Sequence, residues 1–246
     1  MTDTPEVKLE LKNVRKKFGN ARILDDISLT VRKGEHVAVL GPSGCGKSTL
    51  MNILTGILDA DGGEVQVNGK IGYMQQKDLL LPWKTCMDNV TLPARIAGTG
   101  KDPAEEQARP YYKIFQLEGY EHSYPKEMSG GMRQRASLLR TFLSSGDILL
   151  LDEPFGAVDS ITRGKLQQWL IDVSATLGLT ILMITHDIEE AVLLSDRIYV
   201  LSDKPAFVRD EIPVDFCRDD KKNRLFHTGF LEMKKRILTD LAGEKL

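Results

Sequence analysis

A phosphate-binding pattern, GxxxxGK[ST], occupies residues 41–49. Its members are Gly41, Pro42, Ser43, Gly44, Cys45, Gly46, Lys47, Ser48 and Thr49. Glycines let the backbone wrap closely enough for its amides to face phosphate oxygens, and a helix that starts behind the loop adds a field that favours anions. Lys47 is predicted to reach the terminal phosphates and Ser48 to ligate Mg²⁺. An apolar run before the loop and a helix-like segment after it disfavour a chance glycine-rich turn.

Two adjacent carboxylates, Asp152 and Glu153, end a second apolar run that begins at Ile148. A continuous apolar run is typical of a parallel strand buried on both faces, and open α/β sheets place their ligands at the carboxyl ends of such strands. Successive side chains on a strand point to opposite faces, so the two carboxylates are predicted to take different roles. Asp152 would hold Mg²⁺ and Glu153 would face the water that attacks the γ-phosphate. The alternative is an ordinary strand-ending turn.

A glycine-rich helix start at residues 128–135, Met-Ser-Gly-Gly-Met-Arg-Gln-Arg, has no use in a self-contained phosphate site. Ser129 is predicted to cap the helix, which creates another anion-binding terminus. With this segment the chain resembles the nucleotide-binding subunit of an ABC transporter, and the resemblance covers nearly the whole chain. It implies that Ser129, Gly130 and Gly131 bind the γ-phosphate held by a second subunit. Met128 stands where Leu is usual, a change of similar volume.

The resemblance assigns further residues to an ATP and Mg²⁺ site. Gln76 matches a lid glutamine that senses Mg²⁺ and the attacking water, and counting back from Leu-Pro-Trp favours it over Gln75. His186 matches a switch histidine at the γ-phosphate, although a histidine after a strand is more often structural. Asp159 matches a loop that crosses the dimer interface, and Phe18 matches an aromatic that stacks on adenine, where a core position is the alternative. Three residues are thereby assigned to the metal: Ser48, Gln76 and Asp152.

The elements that must position these residues form an α/β fold. We expect a single ABC ATPase domain over residues 1–246, with a phosphate-loop core built on a parallel sheet. Alternating patterns predict a small antiparallel β lobe at about 5–33 and 62–74. Helical patterns predict an inserted helical lobe at about 86–145 and a C-terminal helix at about 219–242. Six apolar residues of that tail are expected to pack on the core: Leu225, Phe226, Phe230, Met233, Ile237 and Leu241.

The composition argues against some functions and indicates where in the cell the protein is located. Its 246 residues carry a formal net charge of −2, which does not suggest a nucleic-acid partner. No apolar stretch is long enough for a bilayer, and residues 1–6 are not a signal peptide. Three cysteines, Cys45, Cys86 and Cys217, are odd in number and lack metal spacing, which suits a reducing cytoplasm. We therefore expect a cytoplasmic protein, peripheral on the inner face of the membrane, whose permease consists of separate chains.

Two loop features carry expectations of their own. Cys45 lies beside Lys47 at a helix N-terminus, which predicts a lowered thiol pKa and high reactivity, with a buried inert thiol as the alternative. The apolar segment around Leu80, Leu81 and Trp83 follows Gln76. The family resemblance implies that it forms the floor of a groove that receives a permease helix, and the alternative is buried core.

Finer similarities are to bacterial importers of nitrate, sulfonates, taurine or thiamine-precursor pyrimidines. They include Leu-Leu-Pro-Trp at 80–83 and Thr-His-Asp-Ile-Glu-Glu-Ala at 185–191. The implied partners are a second ATPase subunit, most simply a second copy, transmembrane permease subunits and, indirectly, a solute-binding protein. The alternative is a soluble ABC-type ATPase of DNA maintenance or translation. The former would carry a long coiled coil between the phosphate loop and residues 128–135, and the latter two tandem sets of motifs.

Overall fold

Three apolar runs form buried parallel strands, as the sequence predicts. The strands are His36–Leu40 (β3), Thr180–Thr185 (β7) and Arg197–Leu201 (β8). β3 lies between the other two and pairs with both in parallel, with Leu40 opposite Thr185. Val208–Pro213 (β9) pairs with β8 in antiparallel orientation. Because both faces of these strands are covered, every residue of β7 and β8 is buried, and all but Thr180, Thr185 and Arg197 are apolar.

The computed structural model describes residues 5–156, 158–216 and 220–242. Backbone contacts divide the chain into two units, Met1–Gly69 with Gly178–Leu246 and Lys70–Leu177. The strands above belong to the first unit. Several expectations fall outside the described residues: those on residues 1–4, Ala157, Cys217 and the first predicted residue of the tail helix, Asp219.

The first unit also contains a three-stranded antiparallel sheet. Its strands are Val7–Phe18 (β1), Ala21–Arg32 (β2) and Gly62–Val67 (β4), and β1 lies between the other two. Lys47–Leu54 (α1) follows β3 through the phosphate loop, and Ile188–Leu194 (α7) follows β7. The loops that leave the carboxyl ends of β3 and β7 therefore each lead into a helix.

The second unit pairs Ile71–Met74 (β5) with Ile148–Asp152 (β6) in parallel. The sequence places residues 71–74 in the antiparallel lobe, and this is wrong: Tyr73 lies opposite Leu150 in a parallel ladder. A short alternating run does not reveal the direction of its partner, which is set by contacts with a segment more than seventy residues away. The described part of the unit also contains a 3₁₀ helix at Pro125–Glu127 and five α-helices: Cys86–Val90 (α2), Leu92–Ile96 (α3), Lys101–Ile114 (α4), Gly130–Ser145 (α5) and Ser160–Leu177 (α6).

The α-helix of the C-terminal region is shorter than the helical periodicity predicts. A 3₁₀ helix at Lys221–Phe226 precedes the α-helix Thr228–Ala242 (α8). Phe230 and Ile237 are buried as expected, but Phe226 is exposed. Arg224, a polar member of the same segment, is fully buried. Among the described residues, none of the helices combines the length and apolar character that a bilayer crossing needs.

Candidate nucleotide-binding site

The phosphate loop joins β3 to α1 in the first unit. Lys47 is the first residue of α1, and its side chain is buried, with Nζ donating to the carbonyl oxygens of Gly41 at 2.7 Å and Pro42 at 2.9 Å. These two bonds hold the ammonium across the loop. Ser48 follows in the first turn of α1 and is exposed. The arrangement concentrates positive charge and helix amides in the loop, which is what a phosphate group requires.

Two glycines of the loop occupy places that a larger residue could not. Gly46 has φ +124°, and a Cβ there would lie 2.8 Å from Leu24 Cδ2 and 2.9 Å from Ile23 Cγ2. A Cβ on Gly41 would lie 2.9 Å from Cys45 Sγ. The loop is thus packed against β2 and against itself, and its path depends on the missing side chains.

The prediction of a reactive thiolate at Cys45 is wrong. Cys45 is only 2% exposed, and burial raises the pKa of its thiol, although Lys47 acts in the opposite direction. The sequence places a cation and a helix start next to the thiol but does not reveal that the Sγ is turned inward under Gly41. The alternative of a buried inert thiol therefore applies.

In the folded protein we expect Cys45 to react with iodoacetamide at least about tenfold more slowly than in the urea-unfolded chain, because the thiol is both shielded and protonated. Mass-spectrometric mapping of the labelled residue measures this. Cys86 is an internal control, since burial raises its pKa to about 11. Equal labelling rates for Cys45 in the folded and unfolded chains would contradict the buried geometry.

His186 directly follows the carboxyl end of β7, and the phosphate loop begins at the neighbouring end of β3. The register places Leu40 opposite Thr185, so Gly41 and His186 are the first residues after two adjacent strand ends. The His186 side chain is exposed. This position is the one expected of a residue that contacts a bound phosphate, rather than that of a buried structural histidine.

Phe18 ends β1 with half of its surface exposed, so it is not a core residue. The ammonium of Lys16 lies 5.7 Å from its ring centroid. A cleft of about 430 Å³ opens on the same strands, and Leu24, which borders the phosphate loop, also lines it. Four cations line this cleft: Arg15, Lys16, Lys17 and Arg22. Sequence reasoning missed them because scattered basic residues on strands resemble an ordinary solvated face.

The second unit brings the predicted carboxylates together with the lid glutamine. Gln76 Nε2 donates to Glu153 Oε2 at 2.9 Å, and the Tyr73 hydroxyl donates to Asp152 Oδ2 at 3.3 Å. Burial, followed by the charge of Asp152, raises the pKa of Tyr73 to about 12, so Tyr73 stays a donor at neutral pH. Tyr73 was not predicted. The parallel pairing of β5 with β6, which the sequence pattern did not disclose, places it there.

Glu153 has φ +45°, a left-handed conformation that a non-glycine residue adopts at a cost of about 1–3 kcal/mol. The strand ends at Asp152, and this reversal turns the next side chain toward Gln76. Asp152 and Glu153 therefore present their carboxylates to different partners, Tyr73 and Gln76, and their separate roles remain a prediction.

The predicted signature forms the start of α5. Ser129 is the N-cap residue, and its Oγ accepts a hydrogen bond from Met132 N at 3.2 Å. Ser129 is exposed, whereas a Cβ on Gly131 would lie 3.1 Å from Thr162 Cγ2 on α6. A Cβ on Gly130 would lie 3.7 Å from Val158. The exposed helix start is therefore packed against the segment that leads into α6.

Asp159 lies in that segment and is exposed. Its Oδ1 accepts a hydrogen bond from Thr162 N at 3.0 Å, and this bond lowers the pKa of the Asp159 carboxyl. An ionised carboxylate thus stands at the start of α6, beside the signature of the same unit. Its predicted place at a dimer interface remains a prediction.

The protein contributes few donors for a metal. Ser48 offers a hydroxyl and Asp152 a carboxylate, and the described residues contain no group of three or more His, Cys, Asp or Glu side chains that could hold a metal ion by themselves. Each of these two oxygen donors is of the kind that Mg²⁺ takes, since the ion is commonly bound through one or two protein oxygens together with substrate phosphates and water.

These features define a phosphate-loop ATPase with an α/β core, and the comparisons with known proteins agree. The family model described as ABC transporter matches residues 24–156. The formylaminopyrimidine import ATP-binding protein of Halalkalibacterium halodurans is 42% identical over 228 residues, which are 91% of this chain and 92% of that protein. The taurine import ATP-binding protein of Pseudomonas aeruginosa is 43% identical over 204 residues, or 80% of this chain and 78% of that protein.

A solved structure is similar throughout its length. It is a dimeric ATP-binding cassette in a post-hydrolysis state bound to ADP and Pi, with a TM-score of 0.70 and 30% identity, and the match covers 84% of this chain and 98% of that one. The chain belongs to the ABC transporter family, as an ATP-hydrolysing subunit.

Proposed function

We propose that two copies of the chain bind MgATP at facing surfaces, each supplying its phosphate loop to one nucleotide and its signature to the other. The observation that carries this proposal is the serine-capped, glycine-rich start of α5, where Ser129 is exposed and Gly130 is half-buried. A helix start of this kind favours an anion through its amides and its dipole, and the chain's own phosphate loop lies elsewhere in the sequence. The dimeric cassette that resembles this chain supports the same assembly.

In this assembly each residue has a task that follows from its chemistry. Lys47 and the loop amides hold the phosphates, and Phe18 stacks on adenine. Glu153, held by Gln76 at 2.9 Å, orients and polarises the attacking water, while His186 contacts the γ-phosphate. Ser48 and Asp152 would hold Mg²⁺, which would supply positive charge against the phosphates. Catalysis is positioning plus charge stabilisation, without a covalent enzyme intermediate.

The hydrolytic cycle is proposed to drive a bacterial importer for a small solute of the taurine, sulfonate, nitrate or pyrimidine-precursor kind. The names of the relatives support this choice. Separate permease subunits would anchor the ATPase to the inner face of the membrane, and a solute-binding protein would deliver the solute. Closure of two ATPase subunits would pull on the permease, and hydrolysis would reset it.

The segment after Gln76 offers a surface for the permease, but not through Leu80. Leu80 is only 8% exposed, so the core alternative holds for it, and a charged substitution there would disrupt folding. Trp83 is 70% exposed, and Leu79 beside it is also exposed. These two side chains, instead of Leu80, are the proposed apolar contacts of a permease helix.

Trp83→Ala is expected to abolish co-purification with the proposed permease subunits and to lower solute uptake at least about tenfold, because exposed tryptophans are frequent binding hot spots. Basal ATP hydrolysis by the isolated subunit should stay within about twofold of the unaltered protein. Ile57→Ala, which truncates another exposed apolar side chain, is the matched control and should retain both. Normal uptake and co-purification by Trp83→Ala would contradict the docking surface.

A further inference from the structure

The C-terminal end of α7 is held by a segment from the end of the chain. A helix leaves its last carbonyls without partners inside the helix. Here Arg224 Nη1 donates to Val192 O at 3.1 Å and to Ser195 O, and Lys221 Nζ donates to Leu194 O at 3.2 Å. Arg224 is 0% exposed. Two cations therefore lie at the negative end of the helix dipole, where positive charge is most favourable.

The same cluster reaches the start of the strand that leads to the phosphate loop. Lys221 forms an ion pair with Asp196 at 2.8 Å, and Asp196 Oδ2 accepts from His36 N at 3.0 Å. His36 Nδ1 lies 3.2 Å from Leu194 O. Burial, followed by the charge of Lys221, lowers the pKa of His36 to about 4, so the imidazole is neutral at pH 7. The cations of the cluster at that pH are Lys221 and Arg224.

The opposite end of α7 is tied to the residues around His186. Asp187 Oδ1 accepts from Glu190 N at 3.1 Å, and Thr185 Oγ1 accepts from Asp187 N at 3.1 Å and donates to the Glu190 carboxylate. The residues on both sides of His186 are thereby bonded through their side chains to Glu190 in the first turn of α7. With seven residues, α7 is about 10 Å long, so a shift of its far end moves its first turn as well.

We propose that Lys221 and Arg224 are positioning residues for His186, acting through α7, so that the C-terminal 3₁₀ segment sets the place of the γ-phosphate contact. The inference rests on the proposed role of His186 in ATP hydrolysis. Much of the segment's described contact with the fold is polar and directed at α7 carbonyls, and its Phe226 is exposed. Loss of the Lys221 bonds should therefore loosen α7 more than it disturbs the core.

Lys221→Met in the full chain tests the inference. It keeps the length of the side chain and removes the ammonium. We expect kcat for ATP hydrolysis to fall about tenfold while KM for ATP stays within about twofold, because small misplacements of a catalytic contact are costly in rate. Hydrogen exchange at the amides of residues 188–195 should accelerate. Arg224→Lys, which keeps the charge but loses one of the guanidinium bonds, should show a smaller effect of the same kind.

Lys234→Met is the matched control, since it removes an exposed ion pair between α8 and Glu189 on the same helix, at 2.8 Å, without touching a carbonyl of α7. It should leave kcat unchanged. In a His186→Ala background, Lys221→Met should cause no further loss of rate.

Three results would overturn the inference. The first is a wild-type kcat for Lys221→Met with accelerated exchange in α7. The second is a loss of kcat that only matches the loss of folded protein seen by thermal unfolding. The third is wild-type hydrolysis by His186→Ala, which would also remove His186 from the proposed site. An inactive His186→Ala with a fully active Lys221→Met would overturn the positioning role alone.

Discussion

Glu153→Gln is expected to lower kcat for ATP hydrolysis at least about a hundredfold while ATP affinity stays within about threefold, since a general base contributes roughly 10²–10⁴ in rate. The amide oxygen of Gln can still accept the hydrogen bond that Gln76 donates at 2.9 Å, so the local geometry is preserved. The variant loses only the negative charge and basicity that polarise the water. It should therefore accumulate as an ATP-bound dimer, measurable by size-exclusion chromatography with MgATP.

Glu118→Gln supplies the control for this experiment, because Glu118 is an exposed carboxylate in the same unit and outside the site. It should hydrolyse ATP at the unaltered rate. Wild-type turnover by Glu153→Gln would exclude Glu153 as the catalytic carboxylate. Loss of ATP binding in Glu153→Gln would instead assign it to nucleotide binding.

Gly46→Ala is expected to weaken ATP binding by roughly a hundredfold. The φ of +124° is strained for alanine by about 1–3 kcal/mol, and the added Cβ would approach Leu24 and Ile23 within 2.9 Å. Overpacking of this kind costs a further 1–3 kcal/mol or so. The loop must move to relieve the clash, which displaces the amides that face the phosphates. Titration with a fluorescent ATP analogue measures the affinity.

Gly34→Ala separates the clash from the backbone strain. Gly34 has φ +72°, and a Cβ there would meet nothing within 4 Å. This variant should lose some stability in thermal unfolding but keep ATP affinity within about twofold. Normal ATP affinity in Gly46→Ala would show that the loop can shift away from β2 without loss of its phosphate contacts.

Much of the site could be predicted because its parts are local. The phosphate loop, the Ser129 cap and the carboxylates after β6 each depend on fewer than ten consecutive residues, and their backbone geometry follows from glycine placement, capping and apolar runs. The parallel strands β3, β7 and β8 were predictable for the same reason, because burial on both faces leaves a continuous apolar run. Local sequence was sufficient wherever the interaction itself is local.

The tertiary structure decided the features that depend on distant segments. The Cys45 thiol is buried under Gly41 in a loop packed against β2, which reverses the pKa shift expected from its chain neighbours. Tyr73 reaches Asp152 only because β5 pairs in parallel with β6.

By itself the sequence determined the class of the protein and the local geometry of its phosphate loop, its Ser129 cap and its strand-end carboxylates. Only the tertiary structure decided that the Cys45 thiol is buried, how β5 pairs and that Arg224 binds the last carbonyls of α7. The physical reason is that solvation and pairing depend on which segments meet. Contacts between residues far apart in the sequence determine both, and no short sequence pattern specifies those contacts.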